Sequence, residues 1–197
     1  MSAVALRYST DPGCPSAFAA EPLRWRLLWL YGDQILWELH MVVLDDTATI
    51  HACRAVVATR LRWPDREAAL LRRLRVLAMA GEPLDLSDTL ELAAEEAGLP
   101  VAELAAYCAE PEVEAALRAD LADARPSPSY ELRRIAGPAD RVDLPGPHPI
   151  EAIEAALAGL APELERRADP RSGAEVLDWA RIPLAAAEVA AVCGDGC

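Results

Sequence analysis

At 197 residues the chain fits one domain, or one domain carrying a large insertion. A folded domain of that size buries roughly 70% of the surface its unfolded chain exposes, so a real core is feasible. A hydrophobic fraction of 53% with 26% charged residues excludes a disordered chain. The net charge of −13, with arginine supplying every basic side chain, counts against nucleic acid and anionic membrane surfaces as partners. No stretch reaches the ~18 uninterrupted apolar residues of a membrane span. Met1 to Tyr8 lacks a charged and then apolar leader pattern, so a soluble cytoplasmic protein is the expectation. Five cysteines, an odd number, argue against a disulfide framework, and with three histidines their spacing gives no paired metal-binding motif.

Ala3 to Ser9 reads as a strand, ended by Thr10-Asp11-Pro12-Gly13. Phe18, Leu23, Leu27, Leu28, Leu30 and Tyr31 then recur at mostly three- and four-residue spacing, a helix stopped at Gly32. Ile35 to Leu44 is apolar on both faces, apart from Glu38 and His40, which suits a central strand covered on both sides. Strand, helix, strand is the βαβ unit. From Ala52 to Ala124 the patterns are helical: Ala52 to Leu61, Asp65 to Met79, Ser87 (as cap) to Ala97, Val101 to Tyr107, and a fifth helix opened by Pro111. A strand at Ser129 to Arg134, a turn at Gly137-Pro138 and a strand at Arg141 to Leu144 form a hairpin. Helices follow from Pro149 to Leu160, Ala174 to Ala180 and Leu184 to Val192. The order βαβ, helical block, ββα is an α/β thioredoxin-like arrangement with an inserted all-helical domain. The expected division is 1–51 with 125–197 for the thioredoxin-like part and 52–124 for the insertion.

The segment that carries chemistry is Tyr8 to Phe18, which puts Cys14 where a strand ends and a helix begins. A helix N-terminus presents free N–H groups and partial positive charge, both of which favour thiolate over thiol. A buried cysteine packed as a small apolar side chain fits the same spacing, and spacing alone leaves both readings open.

Asp11-Pro12-Gly13-Cys14-Pro15 after a first strand resembles the active-site entry of DsbA-like thioredoxin-superfamily proteins. It is most similar to the cytoplasmic branch that includes 2-hydroxychromene-2-carboxylate isomerases and kappa-class glutathione transferases. Gly81 to Ala124 resembles that family's helical insertion, Pro128-Ser129-Tyr130-Glu131-Leu132 its cis-proline and following strand, and Gly146 to Leu157 its closing turn and helix. The resemblance implies that Cys14 is the nucleophile, with Pro15, Ser16 and Ala17 beside it. It also implies a cis Pro128 next to Cys14, where the Ser127 backbone would pair with an extended substrate; Pro126 is the rival cis position.

The family's redox members carry Cys-x-x-Cys, whereas here the run is Cys14-Pro15-Ser16-Ala17. With alanine at the resolving position, a mixed disulfide at Cys14 has no adjacent thiol to release it. The expected function is therefore thiol–disulfide exchange by a single nucleophilic cysteine, with no tightly bound cofactor and a low-molecular-weight thiol as co-substrate. One alternative is a transferase or isomerase acting on a small aromatic substrate with a thiol cofactor. Another is a non-catalytic binding module on the same fold. Glu38 and His40 share a strand face and can form a polar pair, and His51 falls in a loop that can border the site. Cys53 and Cys108 read as inert, and Trp25, Trp29 and Trp37 as packing residues. Cys193 and Cys197, in a tail that is often frayed, can pair or serve as distant resolving thiols.

Overall fold

A computed structural model describes residues 3–44, 48–123, 125–135, 140–180 and 182–194. The chain opens with β1 (Val4–Thr10), α1 (Pro15–Ala19), α2 (Glu21–Tyr31) and β2 (Ile35–Met41). It continues through α3 (Ile50–Arg62), α4 (Glu67–Met79), α5 (Ser87–Glu96), α6 (Val101–Tyr107) and α7 (Pro111–Ala122). β3 (Ser129–Arg134), β4 (Arg141–Pro145), α8 (Ile150–Leu160), α9 (Gly173–Ala180) and α10 (Ala186–Cys193) complete it. The four strands form one sheet in the order β2-β1-β3-β4. This is a mixed α/β fold, and the expected turn at Gly137-Pro138 lies outside the described residues.

β1 is buried almost throughout, as a central strand should be. β2 departs from expectation: it is an edge strand, and it ends at Met41 rather than Leu44. Its central-strand pattern has a physical cause. Helices α3 and α7 cover the upper edge with polar groups, so the apolar residues there are buried without a neighbouring strand. The Met41 N–H donates to Asp120 Oδ2 at 2.9 Å, and Arg60 donates to the Leu39 carbonyl at 2.8 Å and to both Asp120 oxygens at 3.0 and 3.2 Å. Glu38 and His40 do not pair with each other: Glu38 meets Arg133, and His40 Nε2 lies 3.5 Å from Asp120 Oδ1.

The chain divides into two compact units. One comprises Met1–Tyr8, Ala19–Glu38 and Tyr130–Cys197; the other comprises Ser9–Phe18 and Leu39–Ser129. In the first, α2 is buried around most of its girth against the C-terminal helices. Trp25 Nε1 donates to Glu188 at 3.1 Å, Arg26 reaches the Val192 carbonyl and Asp169, and Trp179 meets Trp25 and Trp29 edge-on. These contacts anchor the tail helices, which are therefore not frayed as far as Gly194. Cys193 is disulfide-bonded, while Cys197 and any role for it lie outside the described residues.

The second unit packs α3 to α7 around Val56, Val57, Leu70, Leu71, Leu74, Val113 and Leu117. Gly98 ends α5 at φ +71°, and the Leu99 N–H returns to the Ala94 carbonyl at 2.9 Å, the turn that a left-handed glycine permits. Two sequence expectations need correction. Ser87 is the first residue of α5 rather than its cap, its hydroxyl turned to Asp88. His51 lies in the first turn of α3, because the helix begins two residues earlier than its apolar pattern does. Among the described residues no helix is long and apolar enough to cross a membrane, and no group of three or more His, Cys, Asp or Glu side chains could hold a metal.

Candidate functional site

The site is built where β1 runs out. Pro12 removes one backbone donor and forbids continued pairing, and the chain turns through Gly13 to Cys14. Phe18 donates its N–H to the Cys14 carbonyl at 3.0 Å, so Cys14 stands immediately before α1 as its capping residue. Its thiol is nearly buried and donates to the Ser127 carbonyl at 3.4 Å. The Ser127–Pro128 peptide is cis, as expected, and Pro128 rather than Pro126 is the buried proline. Pro15 and Ser16 are exposed beside the thiol, and Ala17, one turn on, is fully buried.

Asp11 holds this corner together. Its buried carboxylate accepts from the Gly13 N–H at 2.6 Å, the Leu44 N–H at 2.9 Å and the Thr49 hydroxyl at 2.9 Å. Its own N–H donates to Ser127 Oγ at 3.0 Å. One residue thus ties the Cys14 loop to the exit of β2, the start of α3 and the segment bearing Ser127. Beneath it, the fully buried Arg75 of α4 donates to Thr10 Oγ1 at the last position of β1. Sequence reading placed Asp11 in the motif without assigning it this role. Arg75 did leave a signal: it falls four residues after Leu71, inside the apolar stripe of α4, where an arginine needs a buried acceptor.

Gly13 is required for space. A Cβ there would stand 2.7 Å from Thr49 Cγ2 and 3.3 Å from Asp11 Oδ1. Gly13→Ala is expected to cost about 1–3 kcal/mol by overpacking. Adding Thr49→Ser removes the opposing methyl, keeps the hydroxyl for Asp11 and should recover most of that loss in urea denaturation. A neutral Gly13→Ala would mean that the corner is not tightly packed.

Among the described residues no other cysteine pairs with Cys14. Cys14, Cys53 and Cys108 are free thiols. Cys53 is fully buried with its thiol on the Val42 carbonyl at 3.6 Å; burial, then the Asp11 and Asp120 charges, push it well up. Burial also pushes the Cys108 thiol up, against a smaller opposite pull from Arg54. A raised thiol holds less thiolate at any given pH and alkylates more slowly. Iodoacetamide at pH 7–8 should therefore modify Cys108 slowly and Cys53 only on unfolding; mass-resolved labelling times check that order.

The fold that carries this corner is seen repeatedly in solved structures. A candidate protein disulfide isomerase from Nitrosomonas europaea superposes with a TM-score of 0.70 at 16% identity, covering 80% of this chain and 97% of that one. A thioredoxin-like oxidoreductase from Silicibacter pomeroyi gives 0.63 at 17% identity over 80% and 86%. Pseudomonas aeruginosa DsbA2 gives 0.62 at 16% identity over 83% and 91%. The chain shares the thioredoxin-like fold of these structures. No protein-family model and no curated protein matches the sequence. On this DsbA-like fold the chain carries one thiol at the corner, with Ala17 one helical turn away.

Proposed function

We propose that the protein is a DsbA-like thiol oxidoreductase that works with Cys14 as its single nucleophile. The observation supporting this most strongly is the Cys14 thiol held 3.4 Å from the Ser127 carbonyl at the strand–helix corner. The Cys14 thiolate attacks one sulfur of a small disulfide, forming a Cys14 mixed disulfide and releasing the other half as a thiolate, which takes up the proton Cys14 has lost. A second small thiol, as its thiolate, attacks the substrate sulfur bound to Cys14, forming a new small disulfide and returning Cys14 as thiolate. Two electrons and the disulfide count are conserved, so exchange needs no resident cofactor; the small thiol is a co-substrate. Pro15 and Ser16 form the exposed face over which substrate approaches, and the Ser127–Pro128 segment forms the opposite wall.

Glutathione-dependent exchange with 2-hydroxyethyl disulfide tests this reading. Cys14→Ser is expected to lose at least about tenfold of the protein-dependent rate, since the only thiolate at the corner is gone, whereas Cys108→Ser should keep it. Exchange that survives Cys14→Ser would overturn the assignment, and wild-type protein with no exchange would leave the fold as a binding module.

A further inference from the structure

Within the helical unit, α3, α5 and α6 enclose a half-open cavity of about 300 Å3, to which the chemistry at Cys14 assigns no role. Its floor is aliphatic and buried: Ala55, Ala94 and Leu104 are each 5% exposed or less. Its polar residues stand at the mouth, where His51, Ser87 and Glu91 are exposed and Arg54 is half-buried. An apolar floor beneath a polar rim is the form of a small-molecule site, and the volume is at the lower end of the ~300–1,000 Å3 that such sites span. At roughly 30 Å3 per water-sized group, it holds about ten non-hydrogen atoms.

The lining selects among guests of that size. Apart from His51 at the mouth, none of the lining side chains carries a ring, so an aromatic guest would find no face to stack on in the interior. The rim arginine is already committed: Arg54 Nη2 lies 2.9 Å from Glu114 Oε2, and Glu91 adds a second carboxylate. A carboxylate head would meet those two acids with the local cation taken, whereas a neutral hydroxyl can hydrogen-bond to the same groups without a charge penalty. We infer that this cavity binds a medium-chain aliphatic molecule, about eight carbons long, carrying a neutral polar head that sits at the His51–Arg54–Glu91 rim. The inference rests on the helical cavity alone and does not depend on the chemistry at Cys14.

1-Octanol is the probe, with octanoate and 2-naphthylmethanol as comparators, and Cys108 in the cavity wall is the reporter. The full-length protein should bind 1-octanol saturably by calorimetry. At ten times the measured dissociation constant, iodoacetamide labelling of Cys108 should slow about tenfold, while labelling of Cys14 is unchanged. Octanoate and 2-naphthylmethanol should bind more weakly. Ala105→Phe and Ala109→Leu add bulk at two exposed lining positions, so neither burdens the core. In each variant 1-octanol binding should be lost while the far-ultraviolet circular dichroism is retained. Non-saturable uptake, or binding that survives both substitutions, would overturn the site. Equal or tighter binding of octanoate or 2-naphthylmethanol would overturn the assigned ligand class.

Discussion

Replacing Ala17 with cysteine is expected to turn the single-thiol corner into a reversible dithiol and to raise disulfide exchange at least about tenfold when external thiol is below millimolar. Ala17 is three residues after Cys14 on α1, so the two side chains lie on one face about a turn apart. That places them in the range a disulfide spans, with Cα atoms ~4.4–6.8 Å apart. An internal thiolate at that distance resolves a mixed disulfide as if present at millimolar concentration, where wild type must wait for an external thiol. Ala17 is fully buried, and a thiol there is a modest enlargement of an apolar side chain. Diagonal-gel or mass analysis of Ala17→Cys should show a disulfide between Cys14 and the introduced thiol that dithiothreitol opens. If the variant forms no such bond, positions 14 and 17 do not lie within disulfide reach of each other.

Asp11→Ala is expected to produce the largest loss of stability of any single change at the site. It strands one buried hydroxyl and two part-buried backbone N–H groups, each costing up to about 1–3 kcal/mol when left without an acceptor. A net loss of about 3 kcal/mol, corresponding to a Tm lower by roughly 6–12 °C for a chain of this size, is the expected outcome in thermal denaturation. Asp11→Asn should fall between the two, because its amide keeps one accepting oxygen and turns an NH2 toward donors on the other side. A Tm for Asp11→Ala within about 2 °C of wild type would show that the loop does not hang on this carboxylate.

The fold was readable because local signals agreed with one another. Cys14 at a strand–helix junction and Gly32 and Gly98 at helix ends each specify a backbone feature within a few residues, whereas the cis Pro128 followed from the family resemblance. What sequence could not reveal depended on distant partners. The β2 run looks central because Asp120, some eighty residues away, takes the N–H that a neighbouring strand would otherwise take. Asp11 looks like a turn residue, and its carboxylate acquires meaning only when Leu44 and Thr49 come to it. Cys108 appears inert in a linear reading because the cavity it lines exists only once α3, α5 and α6 are assembled.

If Cys14 is a working nucleophile, the intact mass of the protein after exposure to oxidised glutathione will register it. Wild type should gain one glutathione adduct, mapped to Cys14 by peptide digestion and removed by added thiol, and Cys14→Ser should gain none there. Wild-type protein that takes no adduct at Cys14, or carries it on Cys108 instead, would show that Cys14 is not the nucleophile.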